Sequence, residues 1–159
     1  MNNNLTTPFS SLLATIYTRE EAEKIQDILS EMRDELYKIH HDPALDALIG
    51  KLPSQVSEVL QQLLAQKKIV LQTPQEINKF CDEFSQTLKS TDALSLNMAF
   101  EPSYELTQKI AGICKNELGD NTLLEFKIDP RILGGALISF KGQYFDYSLK
   151  TKLDHFLKA

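Results

Sequence analysis

The first residues in this chain whose types could do chemistry are His40-His41-Asp42. Together they could hold a divalent metal, or act as a base with its orienting carboxylate, the equipment of a small metal-dependent hydrolase. Adjacent residues on a helix point roughly 100° apart, and zinc-binding helices space their histidines four apart for that reason. No second cluster of histidine, cysteine and acid stands at ligand spacing, and the remaining histidine is His155. The triplet reads instead as a solvated group at a helix C-terminus, where a histidine suits the dipole. Gly134-Gly135 could suggest a phosphate loop, but neither G-x-x-x-x-G-K-[ST] nor G-x-G-x-x-G is present, and an apolar strand follows rather than a helix. Glycines so placed read as a close backbone approach or a bulge. Ser10, Ser11 and Ser148 lie outside any G-x-S-x-G elbow. Asp146 and Ser148 precede a predicted helix, where both suit capping. Cys81 and Cys114 fall on the apolar stripes of predicted helices and read as buried free thiols. The expectation is therefore a chain with no catalytic residues, no metal and no cofactor.

The elements that would position these residues change character partway along the chain. From Arg19 to His40, Ala22, Ile25, Leu29, Met32, Leu36 and Ile39 recur at steps of three and four, which lines one helix face. Thr18 reads as its N-cap, and Asp42-Pro43 ends it. Pro43 to Ile49 predicts a short helix ended by Gly50, and Pro53 to Gln66 another with Val56, Val59, Leu60, Leu63 and Leu64 inward. Ile69-Val70-Leu71 fits either an extended segment or a helical turn. Thr73-Pro74 opens a helix with Ile77, Phe80, Cys81, Phe84 and Leu88 inward. After Lys89-Ser90-Thr91-Asp92 the period falls to two, with Leu94, Leu96 and Met98 on one strand face. A helix with Leu106, Ile110, Ile113, Cys114 and Leu118 inward follows, then a strand through Leu124, Phe126 and Ile128. Ala136 to Phe140 and Gln143 to Phe145 form a predicted hairpin. Ser148 to Leu157 closes the chain as a helix with Leu149, Leu153, Phe156 and Leu157 inward. The fold class is thus α+β and mostly helical: an N-terminal helical bundle over residues 1–90, then a small α/β domain of order β-α-β-β-β-α over 91–159.

Composition limits what such a fold could do. The chain has 159 residues, 42% hydrophobic, enough for a real core and too apolar for disorder. Residues 1–90 hold 9 basic and 13 acidic side chains, and the rest 8 and 9. Neither part carries the basic excess that phosphate neutralisation needs, so nucleic acid is not an expected partner. The longest apolar stretch, Ile132 to Phe140, contains two glycines and a serine and is too short to span a bilayer. Met1-Asn-Asn-Asn-Leu has neither a basic n-region nor an apolar h-region, so the expectation is a soluble, cytosolic chain.

The stretch from Lys127 to Leu153 resembles the C-terminal signature of the delta subunit of F-type ATP synthases, the family of the oligomycin-sensitivity-conferring protein. That signature runs from an acid, often with proline, through an aliphatic pair to Gly-Gly before a hydrophobic strand. An acid, one residue, a serine, an aliphatic, a basic residue and a leucine follow. Asp129, Pro130, Ile132, Gly134, Gly135, Asp146, Ser148, Leu149, Lys150, Lys152 and Leu153 fill those places without a gap. The segment from Leu94 to Leu118 resembles the strand and helix that precede it. Ser139 stands where a basic residue is usual, and Lys141 and Tyr147 where glycines are usual. The 90 residues before the α/β part are also fewer than the family's six-helix N-terminal domain usually has.

The resemblance implies a mechanical, non-catalytic role. Such a subunit sits on the catalytic head and joins it to the membrane-anchored peripheral stalk during proton-driven ATP synthesis. The implied partners are the N-terminal segment of an alpha subunit and a b-type stalk subunit, with no membrane span of its own. The implied location is cytoplasmic, peripheral at the inner face of the plasma membrane. Asp129, Pro130, Gly134, Gly135, Asp146, Ser148, Leu149 and Leu153 are then structural motif residues. Phe145, Tyr147 and Phe156 are expected to form part of the stalk contact, with core packing an equal expectation for Phe145 and Phe156. The competing classes are a helical adaptor of another complex and the hydrolase using His40, His41 and Asp42.

Overall fold

A computed structural model of the chain describes residues 8–38, 44–119 and 121–157; His40, His41 and Asp42 lie outside them. The described elements run α1 (Pro8–Leu13), α2 (Arg19–Lys38), α3 (Ala44–Lys51), α4 (Ser54–Ala65), α5 (Pro74–Lys89), β1 (Asp92–Met98), α6 (Tyr104–Leu118), β2 (Thr122–Ile128), β3 (Ala136–Phe140), β4 (Gln143–Asp146) and α7 (Leu149–Leu157). A 3-10 turn at Pro130–Ile132 separates β2 from β3. The order is the expected α+β one, helices first and then β-α-β-β-β-α. Two compact units contain the described residues, one within Met1–Ile16 and Glu20–Thr91, the other comprising Tyr17–Arg19 and Asp92–Ala159.

The helical unit follows its periodicities closely. Ala22, Ile25, Leu29 and Met32 of α2 are buried, as are Ile77, Phe80, Cys81, Phe84 and Leu88 of α5. Thr73 accepts the Glu76 amide at 3.2 Å, while the Glu76 carboxylate accepts the amides of Gln72 and Thr73 at 2.8 and 2.9 Å. That reciprocal box, with Pro74 in the first turn, starts α5 where its sequence says it should. Burial pushes the Cys81 thiol up to about 11, the behaviour of an inert core thiol.

Three local readings of the helical part need correction. Helix α1 carries the buried Leu12 and Leu13, with Ile16 just beyond it, but its six residues are too few to display a period. Gly50 does not stop α3, which runs to Lys51 because the buried Leu52 draws the chain on and its amide bonds to the Leu48 carbonyl at 3.2 Å. Ile69-Val70-Leu71 is neither strand nor helical turn, but a connector with Leu71 buried and Val70 exposed. The rings of Phe9, Phe80 and Phe84 meet at centroid separations of 5.6 to 5.7 Å, which ties α1 to α5.

In the α/β unit the sheet order is β2-β1-β3-β4. Strands β1 and β2 are parallel with α6 as their crossover, and β3 and β4 pair antiparallel as a hairpin. Leu94, Leu96 and Met98 of β1 pack with Ala111 of α6 and Leu124 of β2, and Ala136, Ile138 and Phe140 of β3 close around them. The hairpin turns through Lys141 and Gly142, both left-handed at φ 48° and 80°. The Lys141 amine pairs with Asp92 at 2.7 Å. Two predicted inward faces are not inward. On α6 the buried stripe is Thr107, Ala111 and Lys115, so Ile113 and Leu118 face solvent; the sheet contacts the helix one position round from the apolar maximum. On α7, Leu149, Leu153 and Phe156 keep their helical spacing but are 45%, 40% and 79% exposed, since the helix rests on the 3-10 turn by its polar side. Phe145 and Phe156 are therefore not core residues of this chain. Cys114 is half-buried and, like Cys81, free.

Candidate functional site

The signature residues converge where β2 hands over to β3 and β4 to α7. Met98 ends β1, and its carbonyl accepts the Asp129 amide at 2.8 Å, which anchors the 3-10 turn to the sheet. The Asp129 carboxylate then accepts three bonds from one residue: the Arg131 amide at 3.0 Å, Nε at 2.8 Å and Nη2 at 2.8 Å. This bidentate fork holds the carboxyl below its ordinary range. Pro130 occupies the first position of the turn, where its missing amide costs nothing, and Ile132 buries its side chain beneath.

Gly134-Gly135 is a close-approach site, as the sequence suggested. A Cβ on Gly135 would collide with the Tyr147 carbonyl oxygen and lie 3.3 Å from Ser148 Cα, and its φ of 75° is itself left-handed. The two strands of chain are stitched on either side: the Leu149 amide donates to the Gly134 carbonyl at 2.8 Å and the Tyr147 amide to Ala136 at 3.0 Å. Asp146 and Ser148 then cap α7. The Asp146 carboxylate accepts the Ser148 amide at 2.8 Å and the Thr151 hydroxyl at 2.7 Å. Ser148, buried, accepts the Thr151 amide at 3.2 Å and donates its hydroxyl to Thr151 at 3.1 Å. These bonds, the Thr151 hydroxyl first, hold the Asp146 carboxyl below its ordinary range.

Between the two capped turns lies a shallow cleft of about 370 Å³ lined by Asp129, Arg131, Leu137, Asp146, Lys150 and Thr151, among others. Its acids are occupied with backbone amides, Arg131 and Thr151. What the arrangement can do is mechanical: it clamps α7 to the sheet while leaving the helix's apolar side in solvent. Asp129, Pro130, Gly134, Gly135, Asp146, Ser148 and Leu149 are brought together here, and Leu153 lies one turn further along α7. The aromatics are not one patch. Phe145 pairs with Ile138 and so points to the α6 side, whereas Asp146 pairs with Leu137 and faces the cleft beneath α7. Tyr147 and Phe156 are exposed. Arg131 and Thr151 escaped the sequence reading; the spacings Asp-x-Arg and Ser-x-x-Thr were the available signals.

The His40, His41 and Asp42 triplet lies outside the described residues, and the His155 side chain does too. Among the described residues, no group of three or more histidine, cysteine or acidic side chains could hold a metal ion, and no helix is long and apolar enough to cross a membrane.

Comparison with known proteins matches residues 2–159 to the model of the family described as ATP synthase delta (OSCP) subunit. The chain is 26% identical to the ATP synthase subunit delta of Geobacter sp. (strain M21) over 146 residues, 84% of this chain and 78% of that one. It is 28% identical to that of Aquifex aeolicus over 148 residues, 92% of this chain and 78% of that one. Against solved structures, a chain of the Toxoplasma gondii mitochondrial ATP synthase hexamer overlaps with a TM-score of 0.36 at 16% identity, covering 84% of this chain and 68% of that one. A superposition so loose carries no weight.

Proposed function

We infer function from one premise: the chain belongs to the ATP synthase delta (OSCP) subunit family. It is a peripheral-stalk subunit of the F-type ATP synthase. On that footing we propose a non-catalytic stator that joins the catalytic head to the stalk, so that rotor torque drives nucleotide chemistry in other subunits. The helical part, residues 1–90, would hold the N-terminal segment of an alpha subunit, and the α/β part, 91–159, a b-type stalk subunit. Through that stalk it would be peripheral at the inner face of the plasma membrane.

The observation that carries the reading is the exposed stripe Leu149, Leu153 and Phe156 on a helix whose start is clamped by Asp146, Ser148 and Gly135. Spacing of i, i+4 and i+7 on a rigid helix is the pattern of anchors that complete a partner's bundle. Tyr147 at the helix entry adds to it, and Phe145 would touch a partner that wraps the sheet edge. The test is binding of the full chain to a b-type subunit, with Leu153→Ser and Phe156→Ser combined. Both side chains are exposed, so the far-ultraviolet spectrum should be unchanged. Loss of two anchors at about 2 kcal/mol or more corresponds to at least about 30-fold weaker binding. Binding within threefold of wild type would remove the stripe from the stalk contact.

A further inference from the structure

The helical unit surrenders three residues to the other unit. Tyr17, Thr18 and Arg19 lie between α1 and α2, yet they belong with the sheet. The Leu124 amide donates to the Tyr17 carbonyl at 2.9 Å, and Thr18 forms a parallel bridge with Leu124. The Tyr17 ring packs against the cluster of Leu94, Leu96, Met98, Ala111 and Leu124. On its other side the Lys115 ammonium stands 5.3 Å from the ring centroid, in cation–π range, and Lys115 is itself 9% exposed. Leu124 sits on a terminal strand of the sheet and still has no exposed surface. Sheet edges are ordinarily covered, charged or bulged. Here the cover is a segment from another part of the chain.

The connections carry no slack. Ile16 is fully buried and Tyr17 follows it directly, while α2 begins at Arg19 itself. The chain therefore passes between the units at three successive boundaries, after Ile16, Arg19 and Thr91, rather than once. A single covalent link lets each unit open by itself. A borrowed strand with no spare residues on either side does not, because the sheet loses its edge cover whenever α1 or α2 unravels.

We propose that Tyr17–Arg19 is a strap that makes the two units open as one cooperative body. This does not depend on the identity of the stalk partner. Two measurements on the full chain test it. In native-state hydrogen exchange, the Leu124 amide is as protected as the amides of β1, and Tyr17→Ala lowers its protection about tenfold or more while β1 is unchanged. Rapid Leu124 exchange in wild type, or no change in the variant, overturns the proposal. If Tyr17→Ala does not fold, a second variant with Gly-Gly inserted after Ile16 and again after Arg19 keeps every strap side chain but supplies slack. Calorimetry should show one transition for wild type and two for the inserted chain. Two transitions in wild type, or one in both, overturn it.

Discussion

Replacing Gly135 by alanine should damage the α/β unit far more than the loss of a glycine's flexibility would explain. The position asks for two things at once: a left-handed φ of 75° and no atom where Cβ would stand, against the Tyr147 carbonyl and 3.3 Å from Ser148 Cα. The first requirement costs an alanine about 1–2 kcal/mol. Relieving the second by moving backbone costs about 1–3 kcal/mol more, so the whole change is about 2–5 kcal/mol. Gly142 separates the terms, because its φ is 80° but nothing lies within 4 Å of its Cβ position. Gly142→Ala should therefore cost only about 1–2 kcal/mol. Urea unfolding followed by tyrosine fluorescence suits the comparison: the chain has no tryptophan, and Tyr17, Tyr104, Tyr144 and Tyr147 lie in the α/β unit, leaving Tyr37 as the one of five outside it. If the two variants agree within about 0.5 kcal/mol, the close approach of residues 135 and 147 is not what demands glycine, and the clamp on α7 loses its basis.

Thr73→Ala removes the N-cap of α5 and should cost about 1 kcal/mol of helical-unit stability, measured by loss of amide protection at Glu76 and Ile77. Asp146 has a folded-state pKa below its unfolded one, so the stability it contributes is present above about pH 4 and is lost as pH falls through the folded value. The acid limb of the α/β unfolding midpoint should accordingly be flatter in Asp146→Asn; an identical limb would mean the cap does not titrate with folding. Lys141→Gly relieves a left-handed lysine at about 1 kcal/mol while losing an exposed pair with Asp92 worth about 0.2–1 kcal/mol. The variant should match wild type in low salt and exceed it at about 1 M salt, where the pair is screened.

The signature was legible at the level of residues because each member acts locally. Asp129 and Asp146 cap turns that begin within two residues of them, and Gly135 answers a steric demand that only glycine meets. Lys141, which stands where the family usually has glycine, sits at a left-handed φ, so the departure falls at a position whose backbone explains the preference. The apolar stripe of α7 was equally readable as a period. Its destination was not, since spacing says which residues share a face but not what covers it. The same limit misplaced Ile113 and Leu118 of α6, where the sheet selects a neighbouring stripe.

From its sequence alone this chain determined its helices, its strand order of appearance, its caps and its family signature, because these depend on interactions within about one or two turns of chain. Tertiary structure alone decided that Tyr17 to Arg19 leave the helical part to cover β2, that residues 134 and 135 lie against residues 147 to 149, and that α7 turns its leucines outward. Each of these joins segments ten or more residues apart, and such pairings are chosen by the geometry of the assembled sheet rather than by any local preference.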